Sequence, residues 1–370
     1  MRWRLILLLI TAILLTGCAN RKDPIRIGFS AMLSGPGGTP STIVRNGAVL
    51  AVEKINAAGG INGRPVELII KDDRGDPETA RRADRELCEA GVEAIIGHTN
   101  SSMSAAVLDF INEEEILMLS PTSSAEFLMG RDDYFFSLYP SNRLLAVTAS
   151  EFAYHQLGLR KLNTILDTFN AIYSENYFLR FSEHFEMTGG EMGREVRYDS
   201  IAEPQFNLLV EELLKGDPDG LFLITGPLNT AMIIQQLYKR NAQLPLLGVE
   251  WAEDQELIDQ GGPMVQQLYI SNLYNTDTSN EKYQSFVEDY IERFKAVPTG
   301  WAVMGYESAM ILAQALEKRK RTQHLKEVLL STTFEGLQEE ISFNGDGDVD
   351  RNIYMHTVRD NTFVTVEPRM

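Results

Sequence analysis

The sequence contains little cysteine, an excess of acid over base, and only one long apolar run. It has 2 Cys among 370 residues, too few for the disulfide framework of a small secreted scaffold. Its 34 Lys and Arg stand against 52 Asp and Glu, a formal net charge of −18. A nucleic-acid-binding protein needs a basic surface, so we expect no nucleic-acid partner.

The motifs of common enzyme and metal sites are also missing. The five His residues are scattered, and no His-Glu-x-x-His or Cys-x-x-Cys pattern occurs, so no metal or cofactor is predicted. Neither a Gly-x-Ser-x-Gly turn nor a P-loop occurs. The segment NGDGDVD (344–350) has the look of a calcium loop, but Arg351 stands where that loop requires Gly. We interpret the segment as a turn and do not predict an enzyme.

The N-terminus has the pattern of an export signal. Two arginines precede an apolar run over 5–15, which is too short to span ~30 Å of hydrocarbon. The run ends in LTGC, which resembles the lipobox of bacterial lipoproteins. We therefore predict that 1–17 is a signal peptide, that 18–24 is a tether, and that Cys18 carries a lipid anchor. The alternative is an ordinary signal peptide with a chance cysteine.

Short β-rich runs alternate with amphipathic helical runs along the rest of the chain. Strands are predicted at 25–30, 66–71, 93–97 and 116–120, with helices at 42–58, 77–90, 101–113 and 123–129. After a helix at 143–157, the same alternation returns with strands at 163–167, 192–198, 220–225 and 245–250. Continuous apolar strands separated by helices are typical of parallel sheets covered on both faces. We predict an α/β fold of two doubly wound lobes.

The C-terminal part departs from this order. A strand-like run at 268–275 is followed by three helical patterns and two more short strand-like runs. We expect the chain to cross between the lobes near 139–142, 271–275 and 332–337, so that the crossings act as a hinge. The predicted lobes are listed together: lobe 1 comprises 25–140 and 274–333, and lobe 2 comprises 141–273 and 334–370.

Hydroxyl side chains follow two neighbouring strands of the first lobe. Ligands of open α/β sheets bind beyond the carboxyl ends of the strands. Ser101 lies after the third strand, at a helix start where free backbone N–H groups favour an anion. Thr122 and Ser124 follow the fourth strand. Each group is equally consistent with plain helix capping, but two such loops would converge on one cleft.

Acidic and aromatic residues occupy the matching positions of the second lobe. Glu250 ends a predicted strand and could pair with a ligand ammonium, or be an exposed loop acid. Tyr173 stands at a helix start and could wall a small ligand, or pack within its lobe. A carboxylate cradle on one lobe facing Glu250 on the other would suit a small zwitterion.

Three stretches carry a family resemblance. These are AVEKINAAGGINGRPVELIIKDDRGDP (51–77), IIGHTNSS (95–102) and EEEILMLSPTSS (113–124). Over about residues 25–365 the chain resembles the periplasmic leucine/isoleucine/valine-binding protein family. The resemblance implies a type 1 periplasmic-binding fold and a monomeric solute-binding protein at the periplasm or cell-envelope surface. It also implies an ABC permease of the branched-chain amino-acid type as partner.

The resemblance implies a role for each candidate residue. Ser101 would bind the ligand's α-carboxylate with side chain and backbone, and Thr122 would offer mainly backbone groups. Ser124 stands where the family has a Thr that contacts both carboxylate and ammonium. Glu250 would bind the ammonium, and Tyr173 would close over the ligand.

The chain departs from the family pattern in its side-chain pocket. The segment SGPGGTPSTI (34–43) lacks an aromatic residue, and Gly226 or Pro227 replaces a second family Tyr. Gly75 and Asn100 occupy the positions of a family disulfide. We therefore expect an amino acid or close analogue rather than Leu, Ile or Val in particular. Two alternatives remain: a ligand sensor for a membrane receptor or kinase, and a non-ligand interaction lipoprotein of the same fold.

Overall fold

A computed structural model of the chain describes residues 23–35, 38–276 and 279–366. The predicted signal peptide and Cys18 lie outside these ranges, so cleavage and lipidation stay predictions. Across the described ranges, no helix combines the length and the apolar character needed to cross a membrane.

Strands and helices alternate through most of the described chain. The strands are β1 (Ile25–Ala31), β2 (Val66–Asp72), β3 (Ile95–Gly97), β4 (Met118–Ser120), β5 (Phe135–Ser137), β6 (Lys161–Asp167), β7 (Glu191–Tyr198), β8 (Gly220–Ile224), β9 (Leu246–Gly248), β10 (Leu268–Asn272), β11 (Phe334–Glu335), β12 (Glu340–Ile341), β13 (Tyr354–Arg359) and β14 (Thr362–Thr365). The helices are α1 (Gly38–Ala57), α2 (Pro77–Glu89), α3 (Ser101–Glu113), α4 (Asn142–Glu151), α5 (Ala171–Met187), α6 (Phe206–Leu213), α7 (Pro227–Lys239), α8 (Gln255–Gly261), α9 (Glu281–Phe294), α10 (Gly300–Lys318) and α11 (Leu325–Leu330).

The strands form two large sheets and one hairpin. The first sheet has the order β2-β1-β3-β4-β5, and all its pairs are parallel. The second has the order β14-β13-β10-β9-β8-β6-β7, parallel except where β13 pairs with β10 and with β14. We call the first sheet with its covering helices lobe 1, and the second sheet with its helices lobe 2. The predicted α/β fold with two doubly wound sheets is confirmed.

Glycines allow α1 and α10 of lobe 1 to pack closely. A Cβ atom at Gly47 would overlap the carbonyl oxygen of Ala302, and one at Gly305 would overlap the carbonyl oxygen of Val44. The two helices are therefore in backbone contact near their N-terminal halves. This contact directs the first turns of both helices, with Ser41 and Trp301, toward the same cleft.

The chain passes between the lobes three times. The first passage follows β5 at 138–141 and the second follows β10. The third differs from the prediction. Residues 334–349 pack on lobe 1, because the Phe343 ring lies 5.4 Å from that of Phe136 and the Ser137 amide donates to the Gly347 carbonyl at 3.1 Å. The passage falls instead at 350–353, just before β13, so the predicted lobe boundary at 333/334 lies too early.

Two other elements differ from their predictions. The helix predicted at 123–129 is only a 3₁₀ turn at Glu126–Leu128, because the backbone is still extended at Ala125 (φ −65°, ψ 130°). In place of the single helix predicted at 143–157, an α-helix ends at Glu151 and a π-helical turn follows at Phe152–Gln156.

Candidate ligand-binding site

A cleft lies between the lobes, at the carboxyl ends of the parallel strands. Lobe 1 lines it with Met32, Pro40, Ser41, Val44, Thr99, Asn100, Ser101, Thr122 and Trp301, and lobe 2 with Phe169, Asn170, Tyr173, Glu250 and Trp251. The lobes are close together, and the cavity between them measures about 40 Å³, room for a few water molecules. A larger ligand would enter only when the lobes part.

The Ser101 hydroxyl lies at the cleft and accepts two backbone amides. Ser101 is 1% exposed, and its Oγ accepts the amides of Ser124 (3.3 Å) and Ala125 (3.4 Å). Two N–H groups therefore occupy the oxygen's acceptor sites, and the hydroxyl proton is left for an acceptor such as a carboxylate. The geometry supports the predicted contact between Ser101 and an anion.

The start of α3 is shared between the two lobes. The Asn100 side chain caps the helix by accepting the amides of Ser102 (2.8 Å) and Met103 (3.3 Å). Asn170 of lobe 2 also accepts from Ser102, through the amide at 3.2 Å and the hydroxyl at 3.0 Å. The plain N-cap considered from the sequence is therefore present, but Asn100 supplies it and Ser101 does not.

Thr122 and Ser124 lie at different depths. Thr122 lines the cleft, but its hydroxyl donates to the Thr99 carbonyl at 3.0 Å, which leaves its backbone for a ligand. Ser124 is fully buried and does not line the cleft. It lies behind Ser101, and its hydroxyl has no hydrogen-bond partner among the described residues. The structure thus places Ser124 behind the cleft surface, as a support for Ser101.

Glu250 is a buried carboxylate without a cation. It is 2% exposed, and Oε1 accepts the Tyr173 hydroxyl at 2.8 Å. Oε2 has no partner, and no described Lys, Arg or His forms an ion pair with the group. Burial raises the pKa of this carboxyl to about 7, and the nearby charge of Glu253 acts in the same direction. Glu250 is therefore not an exposed loop acid, whereas Tyr173 both packs within lobe 2 against Glu250 and lines the cleft.

Aromatic rings reach the cleft from positions that the sequence analysis did not select. The Trp251 ring packs over Gly226, where an added Cβ would lie 3.3 Å from Cε2. It meets the Tyr173 ring edge-on, with 6.2 Å between centroids. Trp251 thus fills the space left by the absent side chain at Gly226. Its place directly after Glu250 was the available signal.

Phe169 crosses from lobe 2 to lobe 1 beside Gly75. Gly75 has φ +66°, and a Cβ there would lie 2.6 Å from Met32 Sδ and 3.0 Å from Phe169 Cζ. The missing side chain at Gly75 therefore makes room for Phe169 against Met32. Trp301 comes from α10, far along the chain, and no local pattern pointed to it.

A buried ionic cluster supports the loops of lobe 1. His98 Nδ1 lies 2.6 Å from Asp73 Oδ2, and Nε2 lies 3.0 Å from Asp84 Oδ2. Burial alone would lower the pKa of His98, but the two carboxylates outweigh it and raise the pKa to about 10. The His98 carbonyl accepts the hydroxyls of Ser120 (2.7 Å) and Ser123 (3.1 Å). One residue thus ties together the loops that carry Ser101 and Thr122.

Metal-binding clusters are not found in the described part of the chain. No three or more His, Cys, Asp or Glu side chains there come together as a metal site. Cys88 is a free, half-buried thiol, and burial raises its pKa to about 11, so it is a poor nucleophile.

Comparisons with known proteins agree on one family. The sequence model described as "Periplasmic binding protein" matches residues 24–362. A leucine-, isoleucine-, valine-, threonine- and alanine-binding protein of Pseudomonas aeruginosa is 23% identical over 339 residues, covering 88% of this chain and 87% of the relative.

Solved structures share the fold at low identity. The branched-chain amino acid transporter substrate-binding protein LivJ of Streptococcus pneumoniae, solved with isoleucine, is 22% identical with a TM-score of 0.84 over 93% of this chain and 100% of that one. A solute-binding protein of an ABC transporter from Rhodopseudomonas palustris, solved with 3,4-dihydroxybenzoic acid, is 19% identical with a TM-score of 0.84 over 93% and 97%. The same fold thus holds both an amino acid and an aromatic acid.

Proposed function

The chain belongs to the periplasmic binding protein family, as its resemblance to the leucine/isoleucine/valine-binding proteins predicts, and we propose that it captures an amino acid or close analogue between its lobes. In this proposal the protein delivers that ligand to an ABC permease of the branched-chain amino-acid type. The cleft binds its ligand and carries out no reaction on it.

The observation that carries the proposal is the unpaired carboxylate of Glu250 in a cleft shared with Ser101. A buried carboxylate without a counter-charge is costly, and a ligand ammonium would remove that cost. The Ser101 hydroxyl, whose oxygen already accepts two amides, offers its proton to a ligand carboxylate. One small molecule with both charges would satisfy both groups.

The ligand's side chain would meet an apolar wall. Met32, Val44, Phe169, Trp251 and Trp301 surround the remainder of the cleft. Such a wall favours an apolar side chain over a charged one. A simple aromatic acid, of the kind bound by the Rhodopseudomonas palustris protein, would suit the wall and Ser101 but would leave Glu250 unpaired.

Location and anchoring complete the proposal. A lipid on Cys18 would hold the protein, a monomer in this proposal, at the periplasm or cell-envelope surface, with residues 18–24 as its tether. A sensor that presents the same ligand to a membrane receptor or kinase is the second candidate. The same cleft would serve both, and the membrane partner that co-purifies with the protein distinguishes them.

A thermal-shift screen of residues 19–370 tests the ligand class. The compounds are the common amino acids, their amides, and benzoate-type acids. A ligand at 100 times its Kd adds about 2.7 kcal/mol of stability, a readable shift. A response to amino acids but not to their deaminated acids is expected. A response only to plain acids would contradict the role of Glu250, and no response would favour a non-ligand interaction lipoprotein.

A further inference from the structure

A second buried glutamate lies three residues after Glu250, in a different environment. The carboxylate of Glu253 is 1% exposed and has three partners. It accepts from the hydroxyl of Tyr274 at 2.5 Å, from Nδ2 of Asn272 at 3.0 Å, and lies 2.9 Å from Nδ1 of His356. We call Glu253 and these three residues the hinge cluster. Glu253 belongs to no predicted ligand contact and does not line the cleft.

The hinge cluster gathers the segments that join the lobes. Asn272 is the last residue of β10, and Tyr274 lies in the second passage between lobes, which follows that strand. The Tyr139 hydroxyl, from the first passage, donates to Asn272 Oδ1 at 3.0 Å. His356 lies on β13, which begins where the third passage ends. Its Nε2 lies 2.8 Å from the Tyr274 carbonyl, so one carboxylate is linked to all three passages.

Glu253 also contacts both sides of the cleft through its backbone. Its amide donates to the Glu250 carbonyl at 3.0 Å, within the turn that presents the Glu250 side chain. Its carbonyl accepts the indole N–H of Trp301 at 3.1 Å. Trp301 belongs to α10 of lobe 1 and lines the cleft, so this hydrogen bond joins the two lobes.

From this geometry we propose that Glu253 is a positioning residue that couples the hinge to ligand capture. Its side chain fixes the ends of the three passages in one arrangement, and its backbone places Glu250 and Trp301 on opposite walls of the cleft. Closure is then a rotation about a defined pivot, which brings both walls to the same ligand. The inference rests on the proposed function only in requiring that the cleft binds a ligand.

The test uses the tryptophans of the cleft as reporters. The chain has three Trp, and without residues 1–18 only Trp251 and Trp301 remain, both in the cleft wall. Acrylamide quenching of their fluorescence therefore measures how open the cleft is. The measurement needs no ligand, so it decides the role of Glu253 even if the ligand screen fails.

Conservative variants keep the test interpretable. Glu253→Gln removes the charge, and Tyr274→Phe removes one hydroxyl from the hinge cluster. Tyr177→Phe is the matched control, because its buried hydroxyl pairs with Ser271 at 2.8 Å on the same strand as Asn272 but outside the cluster. If Glu253→Gln folds poorly, Tyr274→Phe can still be compared with Tyr177→Phe, because each variant removes a single buried hydroxyl and keeps the ring.

The expected result is a more open cleft in the two cluster variants, beyond any loss of stability that the control variant also shows. Glu253→Gln and Tyr274→Phe should increase acrylamide quenching of the ligand-free protein and increase its radius of gyration in small-angle scattering. Tyr177→Phe should leave both quantities unchanged. Affinity for an amino acid found in the screen should fall about tenfold, the factor that corresponds to 1.4 kcal/mol. If the two cluster variants only lower Tm, with quenching and scattering like those of Tyr177→Phe, Glu253 has a structural role and the proposal is wrong.

Discussion

Replacing Glu250 by Gln should stabilise the ligand-free protein and weaken ligand binding at the same time. Glutamine keeps the size of the side chain and can still accept the Tyr173 hydroxyl, whose distance to Oε1 is 2.8 Å. It removes only the charge. Most substitutions of buried residues destabilise a protein, so a gain in stability would be a specific sign of an uncompensated carboxylate.

The magnitude follows from the pKa of the Glu250 carboxyl. Its folded-state pKa of about 7 lies above the ordinary value of 4.5, so the folded protein favours the protonated form. Below about pH 4.5 the group costs nothing, and the cost grows as pH rises to 7. The shift corresponds to roughly 3 kcal/mol above pH 7. Glu250→Gln should therefore gain up to that amount at pH 8 and nothing at pH 4.

Ligand binding should change in the opposite direction. Neutralising one member of a buried charge pair costs about 2–5 kcal/mol, which would weaken binding of an amino acid by at least about 30-fold. Wild-type affinity should fall as pH drops below 7, because Glu250 takes up a proton. Urea unfolding from pH 4 to 8 and calorimetric titration measure both effects. A Glu250→Gln protein that binds an amino acid as tightly as wild type, or is less stable at pH 8, would refute the reasoning.

Three further outcomes follow from the same geometry. Ser101→Ala should cost about 1.5–3 kcal/mol of binding, the value of a hydrogen bond to a charged group; calorimetry should show a smaller loss for the ligand's amide than for its acid. Gly75→Ala places a Cβ against Met32 and Phe169 in a φ > 0 conformation, so it should hold the cleft open and raise acrylamide quenching of the tryptophans. Adding Phe169→Ala should restore closure. Quenching of Gly75→Ala equal to that of wild type would contradict the packing. His98 has a folded pKa of about 10 against 6.5, so its stabilising contribution is full below pH 6.5 and is lost as pH rises through 10. His98→Gln should flatten the fall in unfolding free energy between pH 7 and 10, measured by urea denaturation; an equally steep fall would show that another group causes it.

The sequence predicts the sheets better than it predicts the walls of the cleft. A parallel strand buried on both faces, such as β8, is a continuous apolar run that can be recognised locally. Trp301 reaches the cleft only because α10 packs on α1 through Gly47, and the burial of Glu250 depends on the closing of two lobes. The segment 334–349 packs on lobe 1 and not on the predicted lobe 2, since a two-residue strand such as β11 carries no period that identifies its sheet.

Glu250 and Glu253 differ in whether the protein itself supplies a charge partner for the buried carboxylate. Both carboxylates are buried within one short turn, but only Glu253 has a charge partner supplied by the protein. The imidazole of His356 and the hydroxyl of Tyr274 hold the pKa of Glu253 below its ordinary range, although burial alone would raise it. Neutralising Glu253 should therefore destabilise the protein, whereas neutralising Glu250 should stabilise it. Stability changes of opposite sign for the same Glu→Gln substitution, three residues apart, would mean that the protein supplies the charge partner of Glu253 itself. The charge partner of Glu250 would then be a ligand cation.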